Sequence, residues 1–326
     1  MVSLFKEKSA ASVFWLILIS LGLHIQFIYH SPVIIASAND GLLYGALNSL
    51  KELPGILLAV LYQVIVLLQA FILNYILNEA RMFAKPAYTT ALAYILLTAM
   101  LPEWNNISEA MVANFIVIAI VYQVTILYNN EKPKTATYNM GLLAGLGMLI
   151  YYPLLSLLLI VFFALLTLRP FKINELFILT LGIITPLYFF SAYLFLSDRL
   201  NEIFFIKDIF QWHFIQQENM LSAIITFSVC GLVILYGIYV WQISNSRLII
   251  QVRRNWLILF LMLLLFLPCL FLIKISWLYA LLVLAVPAAA FASYGFIHPQ
   301  RNILPAIFFW LLIAIIFYNN WFLIKK

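Results

Sequence analysis

Charge is what this chain lacks most. Of its 326 residues only 9% are Asp, Glu, Lys or Arg, against about a quarter in a soluble domain. A soluble globular protein is excluded, and so is a disordered one, which needs low hydrophobicity and high charge. Cysteine is nearly absent as well. Cys230 and Cys269 both lie inside apolar runs, where they read as small buried hydrophobes without metal or redox spacing. That excludes a disulfide scaffold, and 11 Gly with 12 Pro exclude a collagen-like fibre. No Walker loop, dinucleotide-binding glycine pattern, H-E-x-x-H or C-x-x-C is present, which removes the familiar soluble-enzyme motifs.

What is there is 66% hydrophobic and 16% aromatic. The expectation is an all-α polytopic membrane protein, because lipid leaves each backbone group to be satisfied within its own segment. The net charge of +6 does not point to nucleic acid. Its cations stand singly or in pairs between apolar runs, as topology determinants do.

A spanning helix takes about 20 apolar residues. On that ruler the chain divides at 11–30, 54–76, 87–101, 110–128, 138–152, 153–168, 174–196, 219–243, 254–273, 275–294 and 303–323. About eleven spans are expected in one membrane domain, 1–326. The stretch 138–168 has 31 residues, roughly 46 Å as one helix, against a hydrocarbon core of about 30 Å. Tyr151, Tyr152 and Pro153 at its middle suit a turn between two short helices.

The charges favour that split. With the N-terminus inside, twelve of the eighteen Lys and Arg fall in inner segments. A single crossing at 138–168 lowers the ratio to eleven against seven, further from the positive-inside rule. Eight of the twelve acidic residues lie outside. Lys6 and Lys8 before an apolar run, with Ala36-Ser37-Ala38 beyond, resemble a signal peptide. The run is too long for one and ten spans follow, so retention is expected.

Within the spans, Gly141-x-x-x-Gly145 reads as a close-packing face, and Gln63, Gln69 and Asn74 read as interhelical hydrogen-bonding residues. His24 reads as a contact residue near a helix end. The scarcity of buried charge counts against an ion-coupled transporter. Asn106-Ile107-Ser108 matches a glycosylation sequon in a very short loop and is read as chance.

The outer loops carry the candidate chemistry. The first, 31–53, holds Asp40 and an amphipathic stretch near 41–52; the third holds another near 199–217, with Trp212 and His213 toward its end. Both suit helices lying in the interface. The second loop holds Glu103 and Glu109. Asp40 with Glu103 or Glu109 is a candidate pair for a divalent cation, and Asp40 and His213 are candidate catalytic residues, since carboxylates and imidazole serve as general bases. Ordinary solvated loop charge is the competing explanation.

Two resemblances attach to these residues. The segment from Gly145 through Tyr151-Tyr152-Pro153, with Arg169-Pro170-Phe171, Asn74-Tyr75 and the turn at Arg81, resembles an uncharacterised family of Bacteroidota inner-membrane proteins. The layout of an inside N-terminus, an acidic first outer loop with an interfacial helix and about eleven spans is similar to the GT-C glycosyltransferases. That likeness implies sugar transfer from a polyprenyl-phosphate lipid at the outer face, with Asp40 as base and Glu103 as metal partner. The chain departs from the pattern: it has one acid instead of a pair in the first loop, Tyr151-Tyr152 where many relatives carry Lys, and no large periplasmic domain. A non-catalytic relative, or a scaffold for other membrane proteins in an envelope or secretion complex, is the alternative. A small-molecule transporter ranks third.

Overall fold

Apolar runs with no water to bond their amides coil into helices, and the described residues do so along most of their length. The computed structural model describes residues 2–36, 41–128, 130, 132–198, 220–272, 277–298 and 303–322. Of these described residues 84% are helical and 1% are in strands. The helices are α1 (Ala10–Leu23), α2 (Leu43–Ser49), α3 (Gly55–Glu79), α4 (Thr89–Thr98), α5 (Glu109–Leu127), α6 (Pro133–Ile150) and α7 (Ser156–Leu168). They continue with α8 (Ile173–Leu196), α9 (Met220–Ser244), α10 (Ile250–Leu272), α11 (Trp277–Leu281), α12 (Ala285–Ile297) and α13 (Ile303–Phe322). Among the described residues, seven helical segments are long and apolar enough to cross a membrane: α3, α5, α8, α9, α10, α11 with α12, and α13.

Several boundaries move for local reasons. The first helix stops at Leu23, before the expected 30, where His24 turns back to the Ser20 carbonyl through its backbone N–H and its ring Nδ1. Helix α6 begins early because Pro133 sits in its first turn, where the missing N–H costs nothing. Helix α10 starts at Ile250 and takes Arg253 into its first turn, a residue that the expected span 254–273 leaves out. The stretch expected as an interfacial helix near 41–52 forms α2 and a 3-10 turn at Leu50–Glu52. The second such stretch, 199–217, lies outside the described residues.

The chain reverses between α6 and α7. Tyr151 is extended (φ −149°, ψ 111°) and Tyr152–Leu155 form a 3-10 turn. Leu154 and Leu157 then fold back against Gly147. The far end of α7 lies near the end of α5: Arg254 donates to the Leu168 carbonyl at 3.3 Å while its guanidinium lies 5.6 Å from the Tyr128 ring. Leu168 and Tyr128, on either side of the α6–α7 pair in sequence, share one end of the bundle.

Helix α4 is the axis. All ten of its residues are buried, and α12 lies against it, with Thr89 and Thr90 both bonded to Ser293 at 2.8 and 3.1 Å. Around them the bundle has two ends. Tyr88 donates to Phe5 O (2.8 Å), Trp256 to Met82 O (3.3 Å) and Gln251 to Thr125 O (3.4 Å). These contacts gather the N-terminal segment, the α3–α4 link, the end of α5 and the start of α10 at one end, here termed the basic end. The loops after α1, α4 and α6 meet at the other.

Candidate functional site

The opposite end is organised by short backbone pairings. Ile34–Ile35 of the first loop run parallel to Ile107–Ser108 of the second, with Ile34 against Ile107 and Ile35 against Ser108. Asn106 extends the join: its Oδ1 accepts from Val33 N at 3.1 Å. The sequon asparagine is thus a strut between loops. The first loop also touches the α6–α7 turn, where Leu42 N donates to Leu149 O at 3.0 Å. At Gly41 (φ +150°) a side chain would collide with the Ile150 carbonyl, so this close approach requires glycine.

A polar layer lies beneath. Trp104 Nε1 donates to Leu278 O at 2.6 Å, and Tyr62 OH donates to Trp104 O at 3.1 Å. Asn105 Nδ2 donates to Asn320 Oδ1 at 3.0 Å, and Asn319 Nδ2 to Met100 O at 2.8 Å. The His24 ring lies tilted against Tyr62 and Phe27, with ring centres 5.0 and 5.1 Å away. Buried polar groups in a membrane domain are tolerated when they find partners, and these tie α1, α3, α13 and the second loop together. Gln63 bonds Ser20 at 2.7 Å, and Gln69 bonds Tyr94 at 2.8 Å, which makes both of them interhelical links.

No family model, curated protein or solved structure matches the chain.

The four predicted site residues fare differently. Asp40 and His213 lie outside the described residues. Glu109 opens α5 behind the Ser108 cap, whose hydroxyl accepts from Met111 N at 3.3 Å. The helix N-terminus favours a carboxylate there, yet Glu109 is 1% exposed, far from the solvated loop acid its sequence position suggests. Tyr152 of the α6–α7 turn is within electrostatic reach of it. Glu103 is half-buried, and one of its oxygens is enclosed without a hydrogen-bond partner among the described residues. Its aromatic neighbour is Tyr279.

The second loop therefore carries two carboxylates with different tyrosines beside them. Among the described residues no group of three or more His, Cys, Asp or Glu gathers to hold a metal ion. The cation site expected from Asp40 with Glu103 or Glu109 includes a residue outside the described ones; the two described carboxylates can accept protons and hydrogen bonds. Sequence reasoning passed over Tyr62, Asn105, Asn320 and Tyr279. Their signal was present: each is a polar group close to the end of an apolar run on the same side as the acids.

Proposed function

We propose that the protein crosses the bacterial inner membrane eleven times with its N-terminus in the cytoplasm, and that it serves envelope biogenesis by handling a lipid-linked sugar at the outer face in the manner of GT-C enzymes. The observation that carries this reading is the docking of the first loop on the second. The β pairing sets Ile35 beside Ser108, the residue before Glu109, so the described part of the first loop is anchored next to a buried carboxylate that has Tyr152 within electrostatic reach. The chemistry follows directly. A carboxylate takes the proton of an acceptor hydroxyl, and that oxygen bonds to the anomeric carbon. The bond from that carbon to the phosphate oxygen breaks, and polyprenyl phosphate leaves with the electron pair. Asp40 is the base in this scheme, and Glu103 of the second loop, one of whose oxygens is enclosed without a hydrogen-bond partner among the described residues, is the carboxylate that would work with it.

One observation favours a second reading, a non-catalytic membrane subunit. Glu109 is sealed from solvent, as befits a residue that holds loops together and does not meet substrate. The test compares wild type with Asp40→Asn and Glu103→Gln at matched abundance in membranes supplied with radiolabelled polyprenyl-phosphate-linked sugar. Loss of the catalytic base lowers a rate by roughly 10²–10⁴-fold. Transfer by wild type that collapses in Asp40→Asn supports the enzyme, and equal behaviour of the two proteins removes it in favour of the subunit.

A further inference from the structure

At the basic end, on the far side of the molecule from these loops, a cleft of about 690 Å³ opens between the end of α3, the end of α5 and the start of α10. Its walls include Tyr75, Glu79, Arg81, Tyr122, Lys132 and Gln251. Tyr75 and Tyr122 are 61% and 45% exposed, so the cleft is flanked by tyrosines on outward helix faces, the placement of an interfacial aromatic belt. Two cations stand at it, Arg81 and Lys132, both exposed. Neither forms an ion pair among the described residues.

Arg81 is held there by its surroundings. It is a non-glycine residue in the left-handed region (φ 50°), a conformation that persists only where neighbours over-determine it. Its N–H donates to Asn78 O at 3.0 Å, and the next residue, Met82, is buried, with its N–H on Leu77 O at 3.0 Å and its carbonyl accepting from Trp256. The Asn78 side chain in turn clamps both the N–H and the carbonyl of Ala87 at 3.2 and 2.8 Å. The opposite wall is pinned by Gln251 to the Thr125 carbonyl. The guanidinium thus projects from a braced turn.

We propose that this cleft binds the headgroup of an anionic glycerophospholipid, specifically a phosphatidylglycerol-type lipid drawn from the surrounding leaflet. Arg81 and Lys132 meet the phosphodiester, and Glu79 accepts from the headgroup hydroxyls. The acyl chains lie against the outer faces that carry Tyr75 and Tyr122. A basic pocket between helices at the membrane surface is the arrangement that selects such headgroups. The volume falls in the range of about 300–1,000 Å³ typical of small-molecule sites, larger than a bare phosphate requires. The inference stands apart from the glycosyl-transfer reading, since it uses none of the same residues.

The experiment measures phosphatidylglycerol binding to the full-length protein by native mass spectrometry from phosphatidylcholine nanodiscs. The variants are Arg81→Gly, Lys132→Gln, both together, and Lys85→Gln with Arg247→Gln as a control for general surface charge. Glycine suits the left-handed backbone at 81, so Arg81→Gly melts in pure phosphatidylcholine at or above the wild-type temperature, which separates binding from folding. The double cleft variant binds roughly 30-fold more weakly, the combined effect of two interfacial cations, while the control variant keeps wild-type affinity. Equal losses in cleft and control variants overturn the site in favour of diffuse surface charge. Competition by free glycerophosphoglycerol as effective as the lipid itself overturns the membrane source.

Discussion

Tyr94 joins three helices through one hydroxyl. It donates to Gln69 Oε1 at 2.8 Å and accepts from Asn114 Nδ2 at 3.2 Å. Tyr94→Phe leaves the packing intact and strips both amides of that partner in a fully enclosed site. Leaving buried polar groups short of partners costs about 1–3 kcal/mol, although interhelical bonds in membranes average only about 0.6 kcal/mol. The expected loss is about 1 kcal/mol, read as a lower melting temperature in detergent, and an unchanged melting curve would count against the polar layer as a stabilising device. His298, at the end of α12 and beyond the apolar segment, supplies a pH dependence. Burial lowers its pKa from the usual 6.5, and nearby Lys6 lowers it further; Tyr294 stacks 5.0 Å away. Because the unfolded chain takes up the proton first, the folded state is favoured above about pH 6.5, and its advantage declines as pH falls from there toward the folded pKa. Melting temperatures from pH 8 to 5 check this, with His298→Gln expected to flatten that part of the profile.

Between elements, the most extensive contact is the parallel pair α6 and α8. Side chains at Gly141 and Gly182 would collide with the carbonyls of Leu179 and Tyr138 respectively, and one at Gly145 with Ile183 O and the Pro186 ring. Gly182→Val pushes the helices apart; overpacking of this kind costs roughly 1–3 kcal/mol, and a melting series with Gly182→Ala as the milder step measures it. The α6–α7 reversal yields a topological prediction. In a cysteine-free background, Lys132→Cys and Lys172→Cys react with an impermeant thiol reagent from one side of the membrane, and Ser31→Cys and Tyr152→Cys from the other. Labelling of 132 and 172 from opposite sides would sink the reversal. That turn was legible in the sequence because 31 apolar residues overfill a bilayer and Tyr-Tyr-Pro marks the middle. The pairing of Ile34–Ile35 with Ile107–Ser108 was not, since two residues a side carry no periodic signal. Glu109 read as a loop acid because its burial is made by segments distant in sequence. The central place of α4 was equally hidden: hydropathy registers apolar residues without recording whether lipid or protein faces them.

At the scale of the whole molecule, the bundle is layered from a protein-enclosed axis outward to helices such as α8, where Phe177, Tyr188 and Phe189 are each more than 60% exposed. That layering bears on how the protein is made. Ten helical residues rise about 15 Å, half of a hydrocarbon core of about 30 Å, and α4 carries Thr89, Thr90 and Thr98 along that short length. Left alone in the bilayer it has neither the reach nor the partners to stay. Its partner Ser293 is synthesised 204 positions after Thr89. For most of translation, then, the future axis of the protein is an orphan that α3, α5 or an insertion chaperone must shelter. A nascent chain halted after α10 is expected to remain membrane-bound through its long helices yet be clipped by protease near α4, whereas the complete chain resists. The order in which ribosomes deliver helices becomes a constraint on this fold as real as any hydrogen bond within it.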